Sequence, residues 1–339
     1  MADSWFSLSS ADQREALEVA AASTGRPAHL LEKDIWVVWT LGAIYGSDLA
    51  SKLTFKGGTS LSKVYKIIDR FSEDIDLTYD IRQLVPDLLK DGNPIPPSSS
   101  QAKKITDTVK ARLPGWIETS VQPILQAALS RDRLQATLTL EGNDKDKLIL
   151  AYQPNRKGTG YAAPTIQLEF GARATGEPNE RREVTCDIAA AIEGVEFPTA
   201  TPLAMQAERT FWEKATAAHV YSLQGRLRGE RYSRHWYDLA AMHRTGYAQK
   251  AIADASLGEN VATHKSMFFR EIDSDGTRVD YQKAVRGSMR IVPEGGALDA
   301  LRDDYTAMLE DGLLSSLQPT FDEVMGVCVR LQESINGKG

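Results

Sequence analysis

The chain has only two cysteines, Cys186 and Cys328, among its 339 residues. Two thiols are too few for a disulfide framework or a structural zinc site, and the five histidines show no ligand spacing. This scarcity excludes the disulfide-rich secreted class and the zinc-finger class. We expect a protein of a reducing compartment, for which the cytoplasm is the simplest choice.

Long apolar runs and an excess of positive charge are also missing. The most apolar stretch, residues 35–45, is too short to span a bilayer, and residues 1–13 do not resemble a signal peptide, so we expect no membrane partner. The formal net charge of −6 argues against a protein that coats nucleic acid non-specifically. A locally basic groove could still bind RNA.

The most informative segment present is residues 55–77. A short strand, residues 53–55, runs into two glycines and two hydroxyl residues, and a helix is predicted from Ser60 to Ile68. Free N–H groups and the dipole at a helix start favour an anion. We therefore predict triphosphate binding by Gly57, Gly58, Thr59, Ser60 and Lys63.

The same segment ends in an alternating acidic strand. Ile75 and Leu77 would face one side and Asp74 and Asp76 the other. Two carboxylates on one face suit Mg²⁺, which binds through one or two of them. Taken singly, these features would be a turn, a helix cap and a solvated strand face; their order and spacing favour a nucleotide site.

Residues 57–60 and 74–76 resemble the signature of the DNA polymerase beta-type nucleotidyltransferase superfamily. The longer string with Arg70 and Ser72, and the upstream residues 32–36, resemble its AbiEii/AbiGii toxin branch, to which the MenT toxins also belong. Two later motifs resemble the same branch: Glu213-Lys214 and the segment from Arg234 to Leu239 that contains Asp238. The matching motifs lie between about residues 30 and 240.

The resemblance implies an α+β fold with a polymerase beta-like core, a mixed sheet and a mainly helical C-terminal domain. We place the catalytic domain with its N-terminal helices at residues 1–200, and the helical domain, which would complete the active site, at residues 201–339. Four more segments alternate with period two and would extend the sheet: residues 134–140, 147–152, 165–170 and 182–187.

The resemblance also assigns roles to residues outside the first motif. Glu169 is placed as the third carboxylate, so that Asp74, Asp76 and Glu169 would bind the metal; Asp187 is the competitor, and a solvated strand carboxylate is the alternative for each. Lys33 and Asp34 would position the nucleotide or support the catalytic strand, or form a solvated helix face. Ser72 would lie at the nucleotide, and in some family members this serine is phosphorylated.

Two further predictions concern charge near the C-terminal motifs. Lys214 would hold phosphate, unless it is a surface lysine that extends to solvent. Asp238 lies among apolar neighbours and needs a partner, either Lys214 or Arg234, in a structural, orienting or basic role. Four arginines in nine residues would contact the RNA backbone, unless they form a solvated loop: Arg226, Arg228, Arg231 and Arg234.

The implied function is a Mg²⁺-dependent nucleotidyltransferase toxin of a toxin–antitoxin system of the abortive-infection type. It would transfer a nucleotide from a nucleoside triphosphate to RNA, typically the 3′ end of tRNA, and so stop translation and growth. A cognate antitoxin would be encoded alongside. The alternatives are a small-molecule nucleotidyltransferase of the antibiotic-modifying type, and a non-catalytic protein whose binding is gated by triphosphate.

Overall fold

The computed structural model describes residues 3–72, 74–156, 163–226, 231–310 and 319–337. The chain divides into two compact units. The first, here the sheet unit, comprises Met1–Val64, Ser72–Leu88 and Asp107–Met205; the second, the helical unit, comprises Tyr65–Phe71, Leu89–Thr106 and Gln206–Gly339. The domain limits predicted above, 1–200 and 201–339, stay a prediction.

The strands among the described residues are mostly short. They are β1 Asp3–Ser4, β2 Leu53–Lys56, β3 Ile75–Tyr79, β4 Ala136–Glu141, β5 Lys147–Tyr152, β6 Thr165–Gly171, β7 Asn179–Arg181, β8 Val184–Thr185, β9 Val195–Glu196, β10 Thr199–Ala200 and β11 Leu203–Met205. Seven of the described strands form the main sheet, in the order β4-β5-β6-β3-β2-β11-β7. The pairs β3–β6 and β2–β11 are parallel and the other neighbours antiparallel, which confirms the predicted mixed sheet.

Helices make up most of the remaining described structure. They are α1 Ser10–Thr24, α2 Ala28–Tyr45, α3 Gly57–Lys63, α4 Ile81–Leu84, α5 Ser99–Trp116, α6 Gln122–Arg131, α7 Ala207–Gln224, α8 Arg234–Arg244, α9 Tyr247–Ala253, α10 Ala255–Phe268, α11 Tyr281–Lys283, α12 Gly296–Glu310 and α13 Phe321–Asn336. Within the described residues, none of them combines the length and apolar character of a membrane span. The α+β class predicted from the sequence is confirmed.

Each unit has an apolar core of its own. In the sheet unit, alternation along β5 and β6 buries every second side chain, and α2 packs against β6. In the helical unit, α8 packs against α7, α9 and α13. The fully buried side chains include Leu77, Leu148 and Leu168 in the sheet unit and Phe211, Leu239 and Val324 in the helical unit.

Two predicted elements differ from the structure. The helix predicted over Ser60–Ile68 begins at Gly57 and ends at Lys63, because Gly57 adopts φ of 80° and turns the chain directly out of β2. The strand predicted over residues 182–187 is present only as β8, Val184–Thr185, and its predicted place in the main sheet is wrong. β8 pairs with β10 in a separate two-stranded sheet.

Candidate active site

Charged side chains of the main sheet lie in one cross-strand row. Lys56 of β2 pairs with Asp76 of β3, which in turn pairs with Glu169 of β6. Glu169 pairs with Lys147 of β5. Because paired residues of neighbouring strands project from the same face of a sheet, the row presents two adjacent carboxylates with a lysine on either side.

Asp74 lies one residue before β3, two positions from Asp76, so the alternation of the strand directs both carboxylates to one side. Ile75 and Leu77 are fully buried on the opposite face. Partial burial lowers the pKa of Lys147, but Glu169 and Asp74 outweigh this effect and raise it. Asp74 therefore lies close enough to the end of the row to act on the Lys147 ammonium.

The turn from β2 into α3 brings backbone against Asp76. Gly57, the first residue of α3, has φ of 80°, a conformation that residues with a Cβ rarely adopt. A Cβ at Gly57 would overlap the Asp76 carboxylate and lie 2.8 Å from Asp76 Cγ. Glycine is therefore required here both for the backbone conformation and for the space that the carboxylate occupies.

Gly58, Thr59 and Ser60 are buried in α3, and the two hydroxyls have unequal partners. Thr59 Oγ1 donates to the Asp74 carbonyl and lies 3.0 Å from Ser72 Oγ, which ties α3 to the chain ahead of β3. Ser60 Oγ has no hydrogen-bond partner among the described residues. A buried, unsatisfied hydroxyl is unusual, so Ser60 offers a hydrogen bond to a polar ligand.

Glu169, the predicted third metal ligand, forms an ion pair with Lys147, and its role as a ligand stays a prediction. Its Oε2 lies 3.2 Å from Lys147 Nζ. Among the described residues, no group of three or more His, Cys, Asp or Glu side chains is arranged to hold a metal ion. Asp74 and Asp76 fit Mg²⁺ as a pair, because this ion commonly takes one or two protein carboxylates and keeps several waters.

Lys63, at the end of α3, lies in a buried ion-pair network. Its Nζ is 2.6 Å from Asp34 Oδ1 and 2.7 Å from Asp187 Oδ1. Asp34 Oδ2 accepts a hydrogen bond from the Asp187 N–H, and Arg26 Nη1 lies 2.6 Å from Asp187 Oδ2. The side chains of Lys63 and Asp34 are 5% and 6% exposed. Lys63 and Asp34, which were both predicted to bind the nucleotide, therefore form an ion pair with each other.

Burial and pairing act in opposite directions on this network. Burial raises the pKa of Asp34, and Asp187 adds to the rise against the attraction of Lys63. Burial also disfavours the Lys63 ammonium, but Asp34 and Asp187 outweigh it and raise the pKa of Lys63. Asp187 opens a short 3-10 turn, Asp187–Ala190, and pairs with no strand of the sheet row.

Glu32 and Lys33 hold backbone on either side of residues 157–162. Glu32 Oε1 accepts from the Asn155 N–H at 2.8 Å and Oε2 accepts from the Arg156 N–H at 3.2 Å. Lys33 Nζ donates to the Ala163 carbonyl at 3.0 Å. With Asp34, these neighbouring residues of α2 therefore support the chain after β5, the chain before β6 and the end of α3.

Within the helical unit, Asp238 of α8 binds two cations. Arg70 Nε and Nη2 each donate to one carboxylate oxygen at 2.7 Å, and Lys214 Nζ of α7 lies 2.9 Å from Oδ2. Burial alone would raise the pKa of Asp238, but Arg70 and Lys214 hold it well below its usual range. The three side chains are nearly or fully buried and together carry one excess positive charge.

The arginines predicted to contact RNA differ in their surroundings. Arg226 and Arg234 are exposed. The backbone N–H groups of Arg231 and Ser233 donate to the carboxylate of Asp304, which fixes the chain ahead of α8. Arg228 lies outside the described residues.

Most of the chain matches one protein family. A family model described as the nucleotidyl transferase AbiEii toxin, of type IV toxin–antitoxin systems, matches residues 39–327. The chain belongs to the AbiEii family. This confirms the resemblance predicted from the motifs, and the AbiEii match extends well past residue 240, where the recognised motifs end. It begins after the upstream residues 32–36.

Among solved structures, this AbiEii-family chain is similar to MenT4, the nucleotidyltransferase toxin Rv2826c from Mycobacterium tuberculosis H37Rv. The two sequences are 16% identical, the match covers 98% of this chain and 99% of MenT4, and the TM-score is 0.41. No curated protein matches the chain by sequence. Membership of the AbiEii family therefore follows from the match over residues 39–327.

Two charged residues of this AbiEii chain, Arg70 and Lys147, make ion pairs that its sequence does not predict. Arg70 stands in the recognised motif, but its partner Asp238 is 168 positions away and no spacing connects them. Lys147 follows the turn between two strands, and only the register of β5 on β6 shows that it faces Glu169. The charge pattern of the predicted strands could have drawn attention to Lys147, though not to its partner.

We expect Gly57→Ala to destabilise the protein more than Gly25→Ala. Both glycines have positive φ, but an added Cβ meets nothing within 4 Å at Gly25 and overlaps Asp76 at Gly57. The backbone conformation alone should cost about 1–2 kcal/mol in each variant, and the overlap about 1–3 kcal/mol more at Gly57. Urea unfolding of both variants measures the difference; equal losses would contradict the close approach.

We expect Lys63→Met to lower the free energy of unfolding by about 3–5 kcal/mol, because it removes a cation from the buried Asp34 and the partly buried Asp187. Lys110→Met is the matched control, since Lys110 pairs with Asp144 where both side chains are about half exposed, and it should cost at most about 1 kcal/mol. Urea unfolding compares the two. A Lys63→Met loss no larger than that of the control would contradict a structural network.

Proposed function

We propose that this protein transfers a nucleoside monophosphate from a nucleoside triphosphate to RNA, at the 3′ end of tRNA, with Mg²⁺ held by Asp74 and Asp76. One observation carries the proposal: two carboxylates share a sheet face directly beside the Gly57 turn, in a chain of a nucleotidyltransferase family. The unpartnered hydroxyl of Ser60 in the same helix supports a polar ligand at that place.

The roles of the sheet-unit residues follow from their chemistry. Bound Mg²⁺ would supply charge neutralisation at the α-phosphoryl group and the leaving pyrophosphate. Asp74 and Asp76 provide the hard oxygen ligands, while the backbone N–H groups of Gly57 and Gly58 and the Ser60 hydroxyl donate to phosphate oxygens. The hydrogen bond from Thr59 to the Asp74 carbonyl holds the two parts of the motif in a fixed relation.

Lys214 is the phosphate-binding cation in this proposal, and Asp238 positions it. A lysine ammonium has three donors, and Asp238 is its acceptor among the described residues. A general base works best when its pKa lies near the working pH. The pKa of Asp238 is held far below that range, which supports an orienting role over proton abstraction.

The contacts of three other predicted nucleotide ligands support a different role. Lys33 donates to a backbone carbonyl, and Asp34 and Lys63 bind each other. We assign these residues to holding the polypeptide around the site. Ser72, whose hydroxyl lies beside that of Thr59, keeps its proposed place near the nucleotide, where a phosphate group would repel the triphosphate.

An RNA acceptor is supported by exposed guanidinium groups at Arg226 and Arg234. Such groups bind phosphate backbones with a salt-dependent affinity. Modification of the tRNA 3′ end would block aminoacylation and stop growth in the cytoplasm, as in phage defence by abortive infection. Membership of a type IV toxin–antitoxin family implies a cognate antitoxin.

We expect transfer of labelled nucleotide to total tRNA by the wild-type protein, with Mg²⁺ and a triphosphate labelled at the α-phosphate. Asp74→Asn and Asp76→Asn should each lower the rate at least about a hundredfold, because each removes a carboxylate ligand of the Mg²⁺ that would offset the developing negative charge. Asp299→Asn, an exposed carboxylate of α12, is the control and should leave the rate unchanged.

The outcomes of this assay separate the candidate functions. Label on tRNA that both variants abolish would establish the proposed reaction. Label on a small molecule such as an aminoglycoside, with none on tRNA, would show that the acceptor is a small molecule. Triphosphate binding without any transfer would indicate a non-catalytic protein whose binding to a partner is gated by triphosphate.

We expect triphosphate affinity to fall on the alkaline side because of Lys214. Burial lowers the pKa of Lys214, and Arg70 and Arg234 lower it further against the opposing effect of Asp238. The ammonium is therefore lost below the ordinary lysine value of 10.5, and phosphate binding weakens as the pH rises through that lowered pKa. Titrations with cytidine or adenosine triphosphate between pH 7 and 10 measure this. Lys214→Arg should bind independently of pH, and an equal alkaline loss in that variant would contradict the assignment.

A further inference from the structure

Lys147 and Glu169 form an ion pair in the cross-strand row, and the proposed mechanism uses neither residue. Lys147 is the first residue of β5, and its neighbours in the row are Glu141 on β4 and Glu169 on β6. Its Nζ lies 3.2 Å from Glu169 Oε2, with the two side chains 34% and 43% exposed. The ion pair therefore lies on the open side of the sheet, next to Asp76.

The backbone around Lys147 is fixed on both sides. The Phe170 N–H donates to the Asp146 carbonyl at 2.9 Å, and Lys147 itself is in register with Glu169. Gly142, in the turn before β5, packs so closely that a Cβ there would lie 2.7 Å from Asp146 Oδ1. Lys147 thus projects from a defined point beside Glu169.

Charge repulsion explains why a lysine is needed at this point. Asp76 and Glu169 are directly paired in neighbouring strands, an arrangement that is unfavourable for two like charges. Lys56 offsets this from the Asp76 side and Lys147 from the Glu169 side. The ion pair with Lys147 directs the Glu169 carboxylate along the row towards β5.

We propose that Lys147 is a positioning residue that competes with the divalent cation for Glu169, and so leaves the cation with Asp74 and Asp76 as its carboxylate ligands. The proposal rests on the cation site of the proposed function. It accounts for a structure in which three carboxylates share one face while, among the described residues, no three side chains are gathered to hold a metal. The ion pair between Lys147 and Glu169 then competes with the cation and lowers the affinity of the protein for it.

The test measures Mn²⁺ binding to the full-length protein without nucleotide, from the electron paramagnetic resonance signal of the free ion. Lys147→Met should tighten Mn²⁺ binding roughly two- to fivefold, the range that the loss of one half-exposed ion pair allows. In a Glu169→Gln background the same substitution should have a clearly smaller effect, because only the attraction between Lys147 and Asp74 is then lost. Lys147→Arg, which keeps the ion pair, should bind Mn²⁺ as the wild type does.

Lys145→Met is the matched control, because Lys145 is an exposed lysine in the same turn. It removes the same charge from the same region and should leave Mn²⁺ affinity unchanged. The melting temperature of each variant reports on folding separately.

Three results would overturn the proposal. Equal tightening by Lys147→Met with and without Glu169 would show a general charge effect. Unchanged or weaker Mn²⁺ binding in Lys147→Met would exclude competition. Absence of Mn²⁺ binding by the wild type, with Asp76→Asn indistinguishable from it, would remove the cation site itself. A protein that binds Mn²⁺ as expected but transfers no nucleotide would leave the role of Lys147 intact and refute only the proposed reaction.

Discussion

Repulsion between neighbouring carboxylates is the constraint around which the sheet unit is organised. The parallel register of β3 on β6 sets Asp76 directly beside Glu169, with Asp74 on the same side. Such a face is stable only with compensating charge or a bound cation, and Lys56 and Lys147 supply charge from the two flanking strands. The apolar alternation that buries Ile75 and Leu77 on the other face keeps these carboxylates from turning inward.

Two further clusters of charged side chains lie inside the protein, and their net charges have opposite signs. Lys63 is one cation between two carboxylates, whereas Asp238 is one carboxylate between two cations. Buried charges require partners, and each cluster joins segments that are far apart in sequence. The excess negative charge near α3 is further balanced by Arg26, while the excess positive charge of the other cluster lies on Arg70 and Lys214.

The sequence was sufficient to predict the family, the fold class and the central motif, because these depend on local patterns. The predicted bounds of β5 agree with the structure, since strict alternation of apolar residues defines them. The start of α3 was misplaced, because a glycine at positive φ served as its first residue instead of preceding it. The partners of Lys63, Arg70 and Lys147 could not be predicted, since each lies on an element that only the tertiary structure brings near.

The doubly bound carboxylate of Asp238 has a consequence for acid tolerance. Its pKa lies well below the ordinary value of 3.8, so the stability it confers is present above that value and is lost only when the pH falls through the lower value of the folded state. His235, the buried imidazole nearby, stays uncharged because burial, Lys214 and Arg234 lower its pKa. Mild acidification therefore leaves the charge of this cluster unchanged. In weak acid, destabilisation at this place comes from His235 instead, because the unfolded chain binds a proton on this imidazole that the folded state does not bind.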